Sequence, residues 1–225
     1  THVWYDGLAQ NVSIWSSQAS VIVLLVWVLL MENRRRGMFF GKKLPIKKEI
    51  IRFAHKYHSY FFAWATIYTF WYHPMEPSSG HIIGFFYMFL LLLQGSLFFT
   101  GIHTNRWWTL AQEVIVLAHG ALVAVMQGNE MWRMFALGFG GVFVIAHMHG
   151  LGLSRLVRWI ILGLYIAAAL VAYGLYDLTM IHQITWIPII EYLGVLILAG
   201  IFGAGLWVAG RIKGRRSPGS QTASV

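Results

Sequence analysis

The uncharged stretch Ser20-Val-Ile-Val-Leu-Leu-Val-Trp-Val-Leu-Leu-Met31 indicates the fold class, and three arginines follow it at positions 34–36. A helix that crosses the hydrocarbon core of a bilayer needs about 20 mostly apolar residues. Six further apolar stretches of suitable length follow, with short connections between them. The sequence therefore predicts an all-α, polytopic membrane bundle with seven transmembrane helices, placed at 13–31, 50–73, 81–102, 107–127, 131–150, 156–176 and 186–210.

Composition supports this fold class and excludes several kinds of site. The chain has 225 residues, of which 58% are hydrophobic and 11% are charged, whereas soluble domains carry about 25% charged residues. It contains no cysteine, which excludes disulfides, thiolate metal sites, iron–sulfur clusters and cysteine nucleophiles. We predict one transmembrane domain over 1–210 and a basic, disordered cytoplasmic tail over 211–225. A six-span alternative stays open, because charged residues and histidines occupy the first two turns of the span at 50–73.

The basic residues predict the orientation of the bundle. With seven spans, 16 of the 17 Lys and Arg residues fall on one side, and the exception is Arg133. Because Lys and Arg are enriched in short cytoplasmic loops, we expect the N-terminus outside and the C-terminus in the cytoplasm. The predicted location is a bacterial inner (plasma) membrane, crossed several times. The formal charge of +9 then reflects topology, so the expected partner is the lipid bilayer and no nucleic acid is expected.

Histidines within the apolar stretches are the main indication of function. Ionisable side chains at membrane depth cost about 2.5–3.5 kcal/mol when charged, and they usually mark a functional site. Eight of the ten histidines lie in or at the rims of the predicted spans, namely His55, His58, His73, His81, His103, His119, His147 and His149. This distribution predicts a redox or metal site, or a buried polar network.

Depth and helical phase divide these histidines into two sets. The rise of about 1.5 Å per residue places one set in the inner leaflet, comprising His55, His58, His103, Glu113 and one or both of His147 and His149. A sparser outer set contains His73 and His81 together with His182 in the last outer loop, and His119 falls near mid-membrane. Residues three apart share a helix face, so His55 and His58 can converge on one site.

The first functional hypothesis is haem b held by histidines from different helices. Two axial imidazoles can hold haem iron, and haems at two depths would carry electrons across the bilayer. The inner ligands are predicted to be His58 with His147 or His149. The outer ligands are predicted to be His73 with His119. Electron-transfer proteins or partner membrane subunits would then be the redox partners.

The histidine spacing within the second span also favours haem. The separation of His58 or His55 from His73 is similar to that in two-haem membrane cytochromes, which place two ligands on one helix near opposite surfaces. This resemblance covers one helix only. Arg52 and Arg106 are predicted to contact haem propionates at the cytoplasmic edge.

Two alternatives remain open at the level of sequence. One is a non-haem zinc, iron or copper centre in a membrane enzyme acting on a lipid-like substrate, since imidazole and carboxylate groups suit these metals. Its predicted ligands are His55, His58, His103, Glu113 and His147. In the other, the histidines bond neighbouring helices, and the protein is a small transporter, a proton-relay protein or an accessory subunit of a larger complex.

Overall fold

The computed structural model describes residues 13–72, 79–126, 128 and 130–215. Within these ranges the chain is all-α, and the seven α-helices each overlap one predicted span. They are α1 (Ile14–Glu32), α2 (Lys48–Tyr72), α3 (Ser79–Ser96), α4 (Arg106–Met126), α5 (Trp132–Ile145), α6 (Arg155–Gly174) and α7 (Trp186–Arg215), with 3-10 helices at His147–Gly150 and Leu178–Thr185.

Three segments are long and apolar enough to cross a membrane. They are Arg106–Met126, Arg155–Gly174 and Leu178–Ile212. The helical parts Ala19–Glu32 and Ile82–Ser96 are apolar but shorter. A membrane protein is consistent with these helices, while the seven-span topology stays a prediction.

Two helices end before the C-terminal ends of the predicted spans. The third was expected to reach residue 102, but α3 ends at Ser96, and Phe99 has a left-handed backbone with φ 66°. The fifth was expected to reach residue 150, but α5 ends at Ile145 and the chain tightens into the 3-10 helix His147–Gly150. In contrast, α7 continues through Arg215, so the first five residues of the predicted tail are helical.

Helix α1 contributes several side chains to the main apolar core. It packs mainly against α2 and α7, and Leu30 is fully buried. The Trp27 indole N–H donates to the Ala54 carbonyl at 3.1 Å, and its ring lies 5.3 Å from Phe61 and 4.8 Å from Phe202 between centroids. The most apolar stretch of the sequence therefore supplies the main core contacts.

The outer surface of the bundle is largely apolar. Large side chains more than half exposed include Leu156, Trp159 and Leu164 on α6 and Ile189, Leu196 and Ile201 on α7. Soluble monomers rarely expose large contiguous apolar patches. An apolar exterior of this kind is consistent with a membrane protein.

The segment between α1 and α2 folds back onto the bundle. Asn33 holds its two ends together, because its side-chain amide donates to the Leu44 carbonyl at 3.0 Å and its oxygen accepts from the Leu44 N–H at 2.9 Å. Between them, the Phe40 N–H donates to the Ile145 carbonyl at 2.8 Å, and Met38 is fully buried. The predicted basic loop is therefore partly an interior element.

Gly37 makes this fold-back possible. Its φ is +73°, and a Cβ there would lie 2.5 Å from the Gly41 carbonyl oxygen. Left-handed backbone is accessible to glycine at little cost, whereas a side chain at this position would be strained and would also clash with backbone atoms.

We expect Gly37→Ala to lower the free energy of unfolding by about 2 kcal/mol or more, because strain of about 1–3 kcal/mol adds to the backbone clash. Thermal unfolding of the detergent-purified chain measures the loss. Gly200→Ala is the matched control, since a Cβ there meets nothing within 4 Å and alanine favours a helix. Equal melting temperatures for the two variants would contradict the role given to Gly37.

Candidate functional site

A buried ion pair joins the α1–α2 segment to α4. Arg36 donates from Nη1 to Glu113 Oε2 at 3.0 Å and from Nη2 to Glu113 Oε1 at 2.8 Å. The side chains are only 3% and 9% exposed. Two parallel N–H···O bonds give such a pair both strength and a defined orientation. The pair therefore holds the folded-back segment against α4.

His147 adds a third ionisable group to this pair. Its Nδ1 lies 3.4 Å from Glu113 Oε2, and it is the first residue of the 3-10 helix that follows α5. Gly150, at the end of this 3-10 helix, packs against Arg36, since a Cβ there would lie 3.0 Å from Arg36 Cβ. Because α5 ends at Ile145, the 3-10 helix that follows places the His147 imidazole and Gly150 beside the ion pair.

A second buried acid, Glu191, comes from α7. It is 5% exposed, and its electrostatic environment includes the charges of Glu113 and Arg36. No ion pair to Glu191 is found in the described part of the chain. The adjacent Tyr192 donates its hydroxyl to the Met38 carbonyl, which fixes this turn of α7 against the folded-back segment. We call Arg36, Glu113, His147 and Glu191 the buried cluster.

Two polar atoms are open to further bonding, one in the buried cluster and one in Gln112, which precedes Glu113 on α4. Arg36 Nε and Gln112 Nε2 are buried without a hydrogen-bond partner among the described residues. Buried groups of this kind are commonly satisfied by internal water. With one cation, two acids and an imidazole, the buried cluster can hold and exchange protons.

A separate group of rings contains two of the predicted ligands, His58 and His103. Their centroids lie 6.2 Å apart, and Phe98 packs against both, at 5.7 Å and 4.5 Å. His58 Nδ1 lies 2.7 Å from the His55 carbonyl, and His103 Nδ1 lies 3.0 Å from the Gln94 carbonyl. Because carbonyl oxygens only accept, both Nδ1 atoms carry the proton, and both Nε2 atoms present a lone pair.

Three predicted cofactor ligands do not match the expected pairings. His58 contacts His103, whereas His147 contacts Glu113, so the predicted inner pair has different neighbours. His149 Nδ1 accepts from Arg158 Nη1 at 3.2 Å, so its Nε2 carries the proton in the neutral ring. Neither nitrogen of that ring then offers a lone pair to iron.

The remaining predicted residues are dispersed. His55 Nε2 donates to the Met31 carbonyl at 3.2 Å, and Arg52 lines an open, basic cleft with Arg34 and Arg35. Arg106 lies exposed at the start of α4 and packs on Trp107. His119 is half-buried on α4. His73 lies outside the described residues.

The predicted non-haem ligand set is not gathered into one centre. Among the residues that the structure describes, no three His, Asp or Glu side chains lie close enough to hold one metal ion. His58 and His103 lie in the ring group, Glu113 and His147 lie in the buried cluster, and His55 bonds the Met31 carbonyl.

Sequence reasoning missed Arg36 and the role of Glu191. Arg36 stands third in a run of three arginines, and only the conformation of Gly37 and its neighbours distinguishes it from the exposed Arg34 and Arg35. Glu191 could have been identified from the sequence, since an acid in an otherwise apolar span is by itself a candidate functional residue.

No protein-family model matches the chain, and neither a curated protein nor a solved structure matches it.

Removing one partner of the buried ion pair should destabilise the protein more than removing both. Glu113→Leu leaves the Arg36 charge uncompensated, and we expect a loss of about 3–5 kcal/mol. The double variant Arg36→Met, Glu113→Leu should recover much of it, because no charge remains buried. Thermal unfolding in detergent tests this, and a double variant less stable than Glu113→Leu would contradict it.

Proposed function

We propose that this chain is a seven-span membrane protein of the small-transporter class, in which the buried cluster exchanges protons. In this topology the N-terminus is outside, the C-terminus is cytoplasmic, and the protein resides in a bacterial inner membrane. Three span-capable segments, an apolar outer surface and the 16-to-1 distribution of basic residues support this placement.

The single observation that carries the proton-exchange proposal is a buried, unpaired acid beside a buried ion pair. Glu191 is buried within electrostatic range of Arg36 and Glu113 but forms no ion pair with a described residue. An unpaired carboxylate in an apolar interior is strongly disfavoured, so the neutral acid is the favoured form. A neutral acid beside a carboxylate and an imidazole is the combination from which membrane proton relays are built.

Each member of the buried cluster has a distinct part in this proposal. Arg36 keeps a fixed positive charge, because its guanidinium is not deprotonated in proteins. That charge favours the carboxylate form of Glu113. Glu191 supplies the proton that can leave, and His147, in contact with Glu113, can accept one. Transport follows when the proton is exchanged with opposite sides of the bundle in turn.

Glu191→Gln tests the proposal without breaking an ion pair, because glutamine has nearly the same shape and cannot exchange a proton. The purified chain is reconstituted in liposomes, a membrane potential is imposed with potassium and valinomycin, and internal pH is followed with a fluorescent dye. We expect proton flux to fall about tenfold or more relative to the unsubstituted protein.

Glu49→Gln is the matched control, because Glu49 is exposed near the start of α2 and undergoes the same chemical change. Its flux should equal that of the unsubstituted protein. If the unsubstituted protein conducts no more protons than empty liposomes, or if both variants conduct alike, proton exchange at the buried cluster is wrong.

A second candidate function is haem b binding with electron transfer, and the His58–His103 pair favours it. Histidine ligands typically donate their other ring nitrogen to a carbonyl or carboxylate, as both rings do here. Two such imidazoles match the donor set of haem iron. Phe98 would close one side of that site. This pairing differs from the one expected from sequence, in which His58 pairs with His147 or His149.

The optical spectrum of the purified chain tests this candidate. A Soret band that shifts on dithionite reduction is expected, and it should be lost in both His58→Ala and His103→Ala. His182→Ala is the control, since His182 belongs to the exposed 3-10 helix Leu178–Thr185. A colourless protein after expression with added haem precursor would contradict the haem hypothesis.

A further inference from the structure

An apolar cavity of about 490 Å³ lies between α5, α6 and α7. Its lining includes Phe40 from the folded-back segment, Val144 and Ile145 from α5, Leu162 from α6, and Pro188 and Ile189 from α7. Cavities of roughly 300–1,000 Å³ with mainly apolar walls are typical of small-molecule sites. Gly141 helps keep it open, since a Cβ there would lie 3.0 Å from the Tyr165 hydroxyl.

His149 and Arg158 do not line the cavity themselves but form a basic rim beyond Phe40. The Phe40 ring, which lines the cavity, lies 6.1 Å from the His149 ring. His149 in turn accepts from Arg158, and Arg158 precedes Leu162 by one helical turn of α6. An apolar slot and a basic rim are thus continuous through Phe40 and α6.

Two donors at the rim are left without partners. Arg158 Nε and His149 Nε2 are both buried and form no hydrogen bond with any described residue. Buried polar groups are nearly always satisfied, so these two N–H groups favour an acceptor that the chain does not itself supply. A phosphate oxygen is an acceptor suited to an arginine and an imidazole.

We propose that the cavity binds one anionic phospholipid, with an acyl chain between α5, α6 and α7 and its phosphate at Arg158 and His149. The proposal rests on the membrane placement given above, but not on proton exchange. The basic rim favours an occupant with a negatively charged headgroup. Basic pockets between helices on the cytoplasmic side bind anionic headgroups, and the predicted orientation puts the start of α6 on that side.

The site is tested by titrating the full chain in mild detergent with dioleoylphosphatidylglycerol. Native mass spectrometry then measures the bound lipid. Dioleoylphosphatidylcholine serves as the neutral comparison. We expect retention of phosphatidylglycerol over phosphatidylcholine, and Arg158→Gln should weaken phosphatidylglycerol binding about tenfold. Arg155→Gln is the matched control, because Arg155 is exposed on the same turn of α6 and should leave binding unchanged.

Leu162→Trp provides an independent variant, since it fills the apolar part of the cavity and leaves the rim intact. It should reduce the retention of phosphatidylglycerol. Equal binding of the two lipids, or equal behaviour of Arg158→Gln and Arg155→Gln, would overturn the proposal. Proton flux in the liposome assay separates the outcomes: flux with no lipid preference contradicts this site alone, whereas a lipid preference without flux contradicts proton exchange alone.

Discussion

The buried Arg36–Glu113 ion pair is the interaction on which the arrangement of the interior depends. Two charges removed from water cost several kcal/mol each, so this pair is tolerated only because two short hydrogen bonds satisfy it. The ion pair forms only when the α1–α2 segment folds back onto the bundle, and the left-handed backbone at Gly37 allows that fold-back. The end of α5 also lies beside the pair, where His147 contacts Glu113 and Gly150 leaves room for Arg36.

The bundle has an apolar exterior and a polar centre. Leu156, Trp159 and Leu164 are exposed on α6, while Glu191 and Arg36 are buried inside. Between helices in a bilayer, the hydrophobic effect supplies no driving force, so close packing and interhelical polar bonds hold the bundle together. The same polar contacts that stabilise the bundle also form the group proposed to exchange protons.

The sequence predicted the helices well and the site only in part. Apolar runs of about 20 residues indicate helices, which is why all seven overlap the predicted spans. The ends at Ser96 and Ile145 were missed, because both lie within stretches that are still apolar. Phe99 takes a left-handed backbone, and a 3-10 helix begins at His147. Depth placed His58 and His103 in one set, yet it could not show that His147 belongs with Glu113 instead.

By itself, the sequence determined the all-α class, the approximate positions of the helices and the distribution of basic residues, because hydrophobicity and charge act locally along the chain. Only the tertiary structure decided which ionisable groups meet. Three arginines stand side by side at positions 34–36, but only Arg36 is buried, whereas Arg34 and Arg35 are exposed. The difference arises from the left-handed turn at Gly37 and from a carboxylate 77 residues away. No local sequence pattern encodes a contact between residues so far apart.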